Sequence, residues 1–376
     1  MTALSFRKIR LVIEILVRSK IRFSRPSKVD VVLFHRQGSA DFLDHVGNAS
    51  WMIVDPLPRM EEVYVRPKLI WAMLRKIKDG SPVETAYLSA LIQYIDPVIV
   101  ITKVHNSKPF QRVDRATSGI RFLAVQNGTL SLVDDFPLSE WRIFHSELLV
   151  FGDYEIDQYR AQCAEVLRFH VAGSLSFSEF SEKYKDQKFE TKYDLCVVSD
   201  YGTNENIDLL MEYVHKFSEL RELSVCVAGR NTSVDGSVDE ELEWFRSRLG
   251  DGIDFYPKNE RSYAAYQMSF QSRVTIGWCS SLIRESFGAG RRVLACNLAS
   301  KSRYDFPVPG PWFLREATYA EFATALDKML GMTDVEYREI CGEMPKYLMA
   351  NSEIVSTREV LRGIISDALD EKGSVK

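Results

Sequence analysis

The sequence predicts an α/β protein made of two Rossmann-like domains with a cleft between them. Three observations point there. Short apolar runs of strand length alternate with stretches of helical period, the order expected of parallel sheets covered on both faces. The alternation breaks over the charged stretch 178–192 and then restarts. At 376 residues the chain is also longer than one ordinary core organises. The expected domains are 1–180 and 190–376, with 178–192 as the candidate linker.

Taken in order, residues 1–28 carry eight cations against one acid, Glu14, around the apolar run Leu11–Val17. They read as a basic helix suited to an anionic membrane surface, or as a helix docked on its own domain. Val29–His35 is a buried first strand, and the loop Arg36-Gln-Gly-Ser39 follows where such sheets meet ligands. Helical stretches cover 68–78 and 84–95. Asp96-Pro97 stops the second, and strands follow at 98–102, 120–125, 148–151 and 169–173. In the second half, strands are expected at 193–198, 223–228 and 253–256, with helices at 207–220, 238–249 and 262–268. Helices are expected over 319–330 and 335–348. The amphipathic segment Thr357–Leu369 is expected to pack back across the cleft.

Composition narrows the function. Hydrophobic residues make up 45% and charged ones 27%, as in an ordinary globular protein. A net charge of −4 argues against a nucleic-acid partner. The six cysteines are scattered without CxxC spacing and read as reduced thiols of a cytoplasmic protein. No apolar run reaches the roughly 18 residues of a membrane span, and no secretory signal is evident. GxGxxG, P-loop, HExxH and GxSxG patterns are missing, which removes the main support for dehydrogenase, NTPase, zincin and α/β-hydrolase readings. The acidic pairs Asp134-Asp135 and Asp153…Asp157 read as loop residues, so no metal site is expected.

The stretch Val274–Asn297 organises the second half as strand, polar turn, short helix, glycine stop and strand. Ser280 and Ser281 are N-cap residues. The helix N-terminus they open offers free N–H groups and partial positive charge, which suit a phosphate. Glu285, one turn in, can accept hydrogen bonds from ribose hydroxyls. The same pattern also serves as an ordinary capped turn.

Ser280-Ser281, Glu285 and Gly288-Ala-Gly290 resemble the donor-binding motif of GT-B-fold glycosyltransferases. The likeness widens over roughly 95–300. The segments Pro97–Thr102 with His105-Asn106…Phe110, Val125-Gln-Asn-Gly128 and Val171-Ala-Gly-Ser174 are similar to bacterial surface-carbohydrate proteins that include retaining β-Kdo transferases. That resemblance implies a GT-B architecture, a donor site on the second domain, an acceptor site on the first and no required metal or cofactor. The His-Pro motif of many CMP-sugar transferases is not found. CMP-Kdo is the first expectation for the donor, and UDP- or GDP-sugars remain open.

Sugar transfer needs cations or N–H groups at the leaving phosphate and a carboxylate at the reacting centre. Arg230, after a strand, is the candidate cation, with Arg284 as a second. Tyr256 and Pro257 are candidates for holding the base. Asp200, at a strand's carboxyl end, is the candidate nucleophile or base, with Glu155 and Asp153 as first-domain alternatives. His105, Asn106, Gln126 and Asn127 are candidate sugar or acceptor contacts, and His105 also reads as structural. The expected partners are a nucleotide-sugar donor and a glycan or lipid-linked glycan acceptor. Expected localisation is cytoplasmic, peripheral on the inner membrane face. Three alternatives stay open: a GT-B-like sugar-nucleotide epimerase, a polyol-phosphate transferase, and a non-catalytic glycan-assembly binding protein.

Overall fold

The computed structural model describes residues 17–57, 59–128, 142–202, 206–232, 237–258, 263–278, 280–299, 301–350 and 356–373. Most of the predicted basic helix, the pair Asp134-Asp135 and Cys279 lie outside these residues.

Val17 and Arg18, the first described residues, are helical, and β1 (Lys20–Arg22), an exposed strand, follows, so the expected helix does not run to residue 28. β1 pairs in parallel with β4 (Glu62–Tyr64). β2 (Val31–Phe34) leads into α1 (Ala40–Val46), and β3 (Trp51–Val54) follows. After β4 come α2 (Pro67–Lys78) and α3 (Val83–Ile95). Pro67 sits in the first turn of α2, where its missing N–H costs nothing. Asp96 ends α3 in the left-handed region, ahead of Pro97.

The domain continues through β5 (Ile99–Thr102), α4 (Lys108–Arg115), β6 (Arg121–Val125), β7 (Phe144–Val150), α5 (Asp153–Ala161), β8 (Glu165–Val171) and α6 (Leu175–Lys183). Its six-stranded sheet runs β3-β2-β5-β6-β7-β8, every pairing parallel. The central strands β2 and β5 are buried on both faces, so they read as unbroken apolar runs. β3 lies at the edge of this sheet and β4 lies off it, pairing with β1; neither strand was expected from the sequence.

The second domain comprises β9 (Tyr193–Val198), α7 (Ile207–Leu220), β10 (Val225–Thr232), α8 (Val238–Leu249), β11 (Asp254–Lys258), α9 (Ala264–Phe270), β12 (Ser272–Gly277), α10 (Ser281–Gly288), β13 (Val293–Asn297) and β14 (Phe313–Arg315). Its parallel sheet runs β11-β10-β9-β12-β13-β14, the Rossmann order. Three helices close it: α11 (Tyr319–Gly331), α12 (Asp334–Cys341) and α13 (Met344–Leu348). Capping boxes Thr318/Glu321 and Thr333/Glu336 start the first two.

The last helix, α14 (Thr357–Gly373), returns to the first domain. Leu361, Ile364, Ile365 and Ala368 join one cluster with Leu33, Ile101 and Leu123. The first six residues of the charged stretch 178–192 are not linker: α6 runs to Lys183, and 184–192 leads on to β9. Cys163, Cys196, Cys226, Cys296 and Cys341 are free thiols, all but Cys163 buried.

Candidate functional site

In each sheet the strand order reverses once, between β2 and β5 in the first and between β9 and β12 in the second. Ligand crevices form outside the carboxyl ends of strands at such reversals. Here loops from both reversals line one interdomain cavity of about 430 Å³. The first domain contributes Gln37, Gly38, Asp41, Lys103, Asn127, Ser176 and Glu179. The second contributes Lys258, Tyr263, Tyr266, Ser281 and Glu285, with Ala264 and Ala265.

Lys103 follows β5 directly and is buried. Its ammonium pairs with the Asp41 carboxylate in the first turn of α1 and reaches Ser176 Oγ at 3.4 Å. The loop before α1 lies flat on this lysine because residue 38 is glycine. Its φ is +75°, and a Cβ there would stand 3.0 Å from Lys103 Cβ and Cδ. A lysine and a carboxylate therefore meet at the first-domain reversal, where neither was singled out from sequence.

On the opposite wall, Ser280 Oγ caps α10 by accepting from Leu282 N–H at 3.3 Å, and Ser281 faces the cavity. Glu285 is buried between the domains. It accepts from Ser174 Oγ of the first domain and from Tyr266 Oη at 2.9 Å. Burial pushes its carboxyl above the ordinary range, partly offset by those bonds and by the charges of Lys103 and Arg284. Each of its oxygens accepts one hydrogen bond from the protein, and the residue lines the cavity.

Glu155 is buried between the domains. Its carboxylate forms a buried ion pair with Arg284 of the second domain and accepts from Gln126 Nε2 at 3.3 Å and Gly152 N–H at 3.1 Å. Gln126 Oε1 in turn accepts from Phe151 N–H at 2.9 Å. Glu155, Gln126 and Arg284 thus form a buried network between the two domains and are not among the residues that line the cavity. Tyr154 packs on the Arg284 guanidinium at 5.2 Å. Asp153 is an exposed residue in the first turn of α5.

The other candidates divide. Asn127 lies in the cavity, and its N–H reaches His105 Nδ1 at 3.4 Å. Burial lowers the His105 imidazole to about 4, so it is neutral at pH 7 and acts as an acceptor that shapes the loop. Asn106 is exposed and outside the lining. Asp200 lies two residues past the end of β9, half-buried, and it does not line the cavity. Arg230 lies inside β10, exposed, and its guanidinium donates to the Tyr201 carbonyl at 3.1 Å. Tyr256 and Pro257 are strand residues of β11, and the Tyr256 hydroxyl meets that of Tyr193 at 2.8 Å. The cavity therefore unites Asn127, Ser281 and Glu285 of the predicted set and adds Asp41, Lys103, Glu179, Lys258 and Tyr266.

No protein-family model and no curated protein matches this sequence. Solved structures do match across nearly the whole chain. The UDP-GlcNAc 2-epimerase of Methanocaldococcus jannaschii, in complex with UDP-GlcNAc and UDP, is similar over 89% of this chain and 98% of its own, at 11% identity and a TM-score of 0.53. The wall teichoic acid polymerase TagF (H548A) matches over 99% of both chains, at 11% identity and 0.51. The α,α-trehalose 6-phosphate synthase of Burkholderia multivorans matches over 93% of this chain and 100% of its own, at 10% identity and 0.50. The fold is GT-B. At such identities the likeness extends to the arrangement of the two domains, and a GT-B fold hosts transferases, an epimerase and a polymerase alike.

Proposed function

We propose that the protein is a glycosyltransferase that moves a sugar from a nucleotide donor to a glycan or lipid-linked glycan acceptor at the inner face of a bacterial membrane. The observation that carries this reading is the cavity between the two strand reversals, with different chemistry on its two walls. One wall has the α10 N-terminus, Ser281 and Lys258, all suited to a donor phosphate. The other has Asp41, Lys103 and Glu179.

In the proposed reaction the acceptor hydroxyl attacks the anomeric carbon and passes its proton to a carboxylate of the first-domain wall, Asp41. The bond from sugar to phosphate breaks, and Lys258, Lys103 and the α10 N–H groups meet the charge that develops on the leaving nucleotide. These groups would carry the charge without a metal. Were the transfer retaining, a carboxylate at the anomeric carbon would be needed, and the carboxylates of the cavity, not Asp200, are the candidates. CMP-Kdo remains the proposed donor on sequence resemblance, with delivery to lipopolysaccharide O-antigen or capsule. A UDP-sugar is the second reading, supported by the similar epimerase whose structure holds UDP-GlcNAc. An epimerase needs no acceptor, which separates the two reactions.

The test is a thermal-shift screen with CMP, CDP, UDP, GDP and their sugar conjugates. A ligand bound only by the folded state stabilises it by about 2.7 kcal/mol at a hundredfold excess over its Kd. Stabilisation by one nucleotide, weakened in Lys258→Ala, is the expected result. Release of that nucleotide should then require an acceptor and be lost in Asp41→Asn, with Asp200→Asn still active. Stabilisation by none of them overturns the reading.

A further inference from the structure

A cluster of cations lies away from the cavity. Residues 17–28 contain five cations and no acid, and residues 63–78 contain five more and no acid, in a chain of net charge −4; Arg22 is paired with Glu62 of β4 and Lys28 with Asp96, while Lys68, Arg75 and Lys78 of α2 are exposed. The two stretches adjoin, because β1 pairs with β4 and the Val65 N–H donates to the Arg22 carbonyl at 2.8 Å. Arg66, which opens α2, donates to the Phe23 carbonyl at 3.0 Å.

α2 is divided lengthwise. Leu69, Ala72 and Met73 pack on the first-domain core. Lys68, Trp71, Leu74, Arg75 and Lys78 are exposed, within an arc of about 120° at 100° per residue. Trp71 is 59% exposed and Leu74 48%, and the Arg75 guanidinium lies 5.2 Å from the Trp71 ring. Phe23, which follows β1 and whose carbonyl Arg66 holds at the start of α2, is 70% exposed. Large apolar side chains normally leave water, and a tryptophan flanked by lysine and arginine is the composition of a helix lying in a lipid headgroup layer.

We infer that this face of the first domain, the outer arc of α2 with the β1 segment, docks the protein on an anionic lipid bilayer, Trp71, Leu74 and Phe23 entering the headgroup region and Lys68, Arg75 and Lys78 meeting lipid phosphates. Charge decides the occupant. A second copy of this chain on a two-fold axis would set the same cations against each other, whereas an anionic leaflet is complementary. The inference depends on this face and on nothing in the cavity.

Co-sedimentation of the full chain with phosphatidylcholine–phosphatidylglycerol vesicles tests it, with pure phosphatidylcholine vesicles as the control. Binding is expected to the anionic vesicles alone and to be released by high salt. The surface variant K68E/R75E/K78E should lower the partition coefficient by about a hundredfold. W71A/L74A should lower it by about tenfold, with the thermal midpoint kept. If the triple variant fails to fold, salt release and W71A/L74A decide. Binding that ignores lipid charge, survives high salt, or is unchanged in both variants overturns the inference. So does a dimer of the parent chain that W71A/L74A abolishes, since a second copy would then cover the face. Nucleotide stabilisation, read in vesicle-free samples, is independent of either result.

Discussion

Asp114 shows how burial alone sets the state of a single group. It lies on α4, 2% exposed, and accepts from the Ser146 N–H at 2.8 Å and from Ser146 Oγ. Burial pushes its carboxyl up to about 7, against the pull of those two bonds, from an ordinary value of 3.8. The folded form therefore keeps a proton that the unfolded chain loses, and stability falls as pH rises from about 4 to about 7, then levels. Asn at 114 keeps an acceptor for the N–H and can donate to Ser146 Oγ, without a titration. The stability of Asp114→Asn relative to the parent should therefore rise across that window, by on the order of 2 kcal/mol. Urea unfolding at pH 5 and pH 8 measures it, and equal differences at the two values would refute the assignment. Gly38 gives a second test at this scale. Ala there adds a Cβ against Lys103 and strains a φ of +75°, so Gly38→Ala should weaken nucleotide binding and cost about 1 kcal/mol of stability. Sequence marked the loop around Gly38 as a ligand loop, because a strand before it and a helix after it are visible locally. It did not mark Lys103 or Asp41. A lysine after a strand is common, and what distinguishes this one is the loop lying on it from 65 residues away.

At the scale of elements, α10 was legible and its role was half legible. The Ser-Ser cap, the glycine stop and the flanking apolar strands are local signals, and the helix forms where they place it. The partners of its side chains are long-range. Arg284 finds Glu155, and Glu285 finds Ser174, each from the other domain. The charged stretch before β9 misled for a related reason. Its acids and lysines are conspicuous in sequence, but Phe177, Phe180, Tyr184 and Phe189 form an aromatic cluster with Tyr266 and Phe270 of the second domain. The elements beside the cavity are thus joined by a buried ion pair and an aromatic seam. Removing one partner of a buried pair leaves an uncompensated charge. Glu155→Leu or Arg284→Met should each cost about 3–5 kcal/mol, while the double variant Glu155→Leu/Arg284→Met should recover most of it. A double-mutant cycle in urea reads this directly, and simple additivity of the two losses would show that the pair is not coupled.

For the whole molecule, two sheets and their order along the chain were legible, because parallel strands buried on both faces are continuous apolar runs bounded by polar loops. What could not be read is how the halves are held. The chain leaves the second domain after α13 and passes the first at two glycines. A Cβ on Gly152 would stand 2.3 Å from the Tyr347 carbonyl oxygen, and one on Gly173 would stand 2.5 Å from that of Ala350. The Ala350 N–H donates to the Phe151 carbonyl at 2.7 Å, and Thr357 Oγ1 donates to that of Ala172. α14 then fills one face of the first sheet with Leu361, Ile364 and Ile365. The amphipathic pattern announces a helix that packs back across the cleft; the fold adds which residues it meets, since it completes the core formed by the beginning of the chain. It follows that the first domain does not close its own core. Leu361→Asp with Ile365→Asp would bury charge against Leu33 and Ile101, a cost well above the stability of a surface change. The expected outcome is selective loss of the first domain. Two-step unfolding should replace a single transition, and proteolysis should leave a resistant second-domain fragment. A lone transition with both domains equally protected would mean that α14 is an appendage and that the first sheet closes without it.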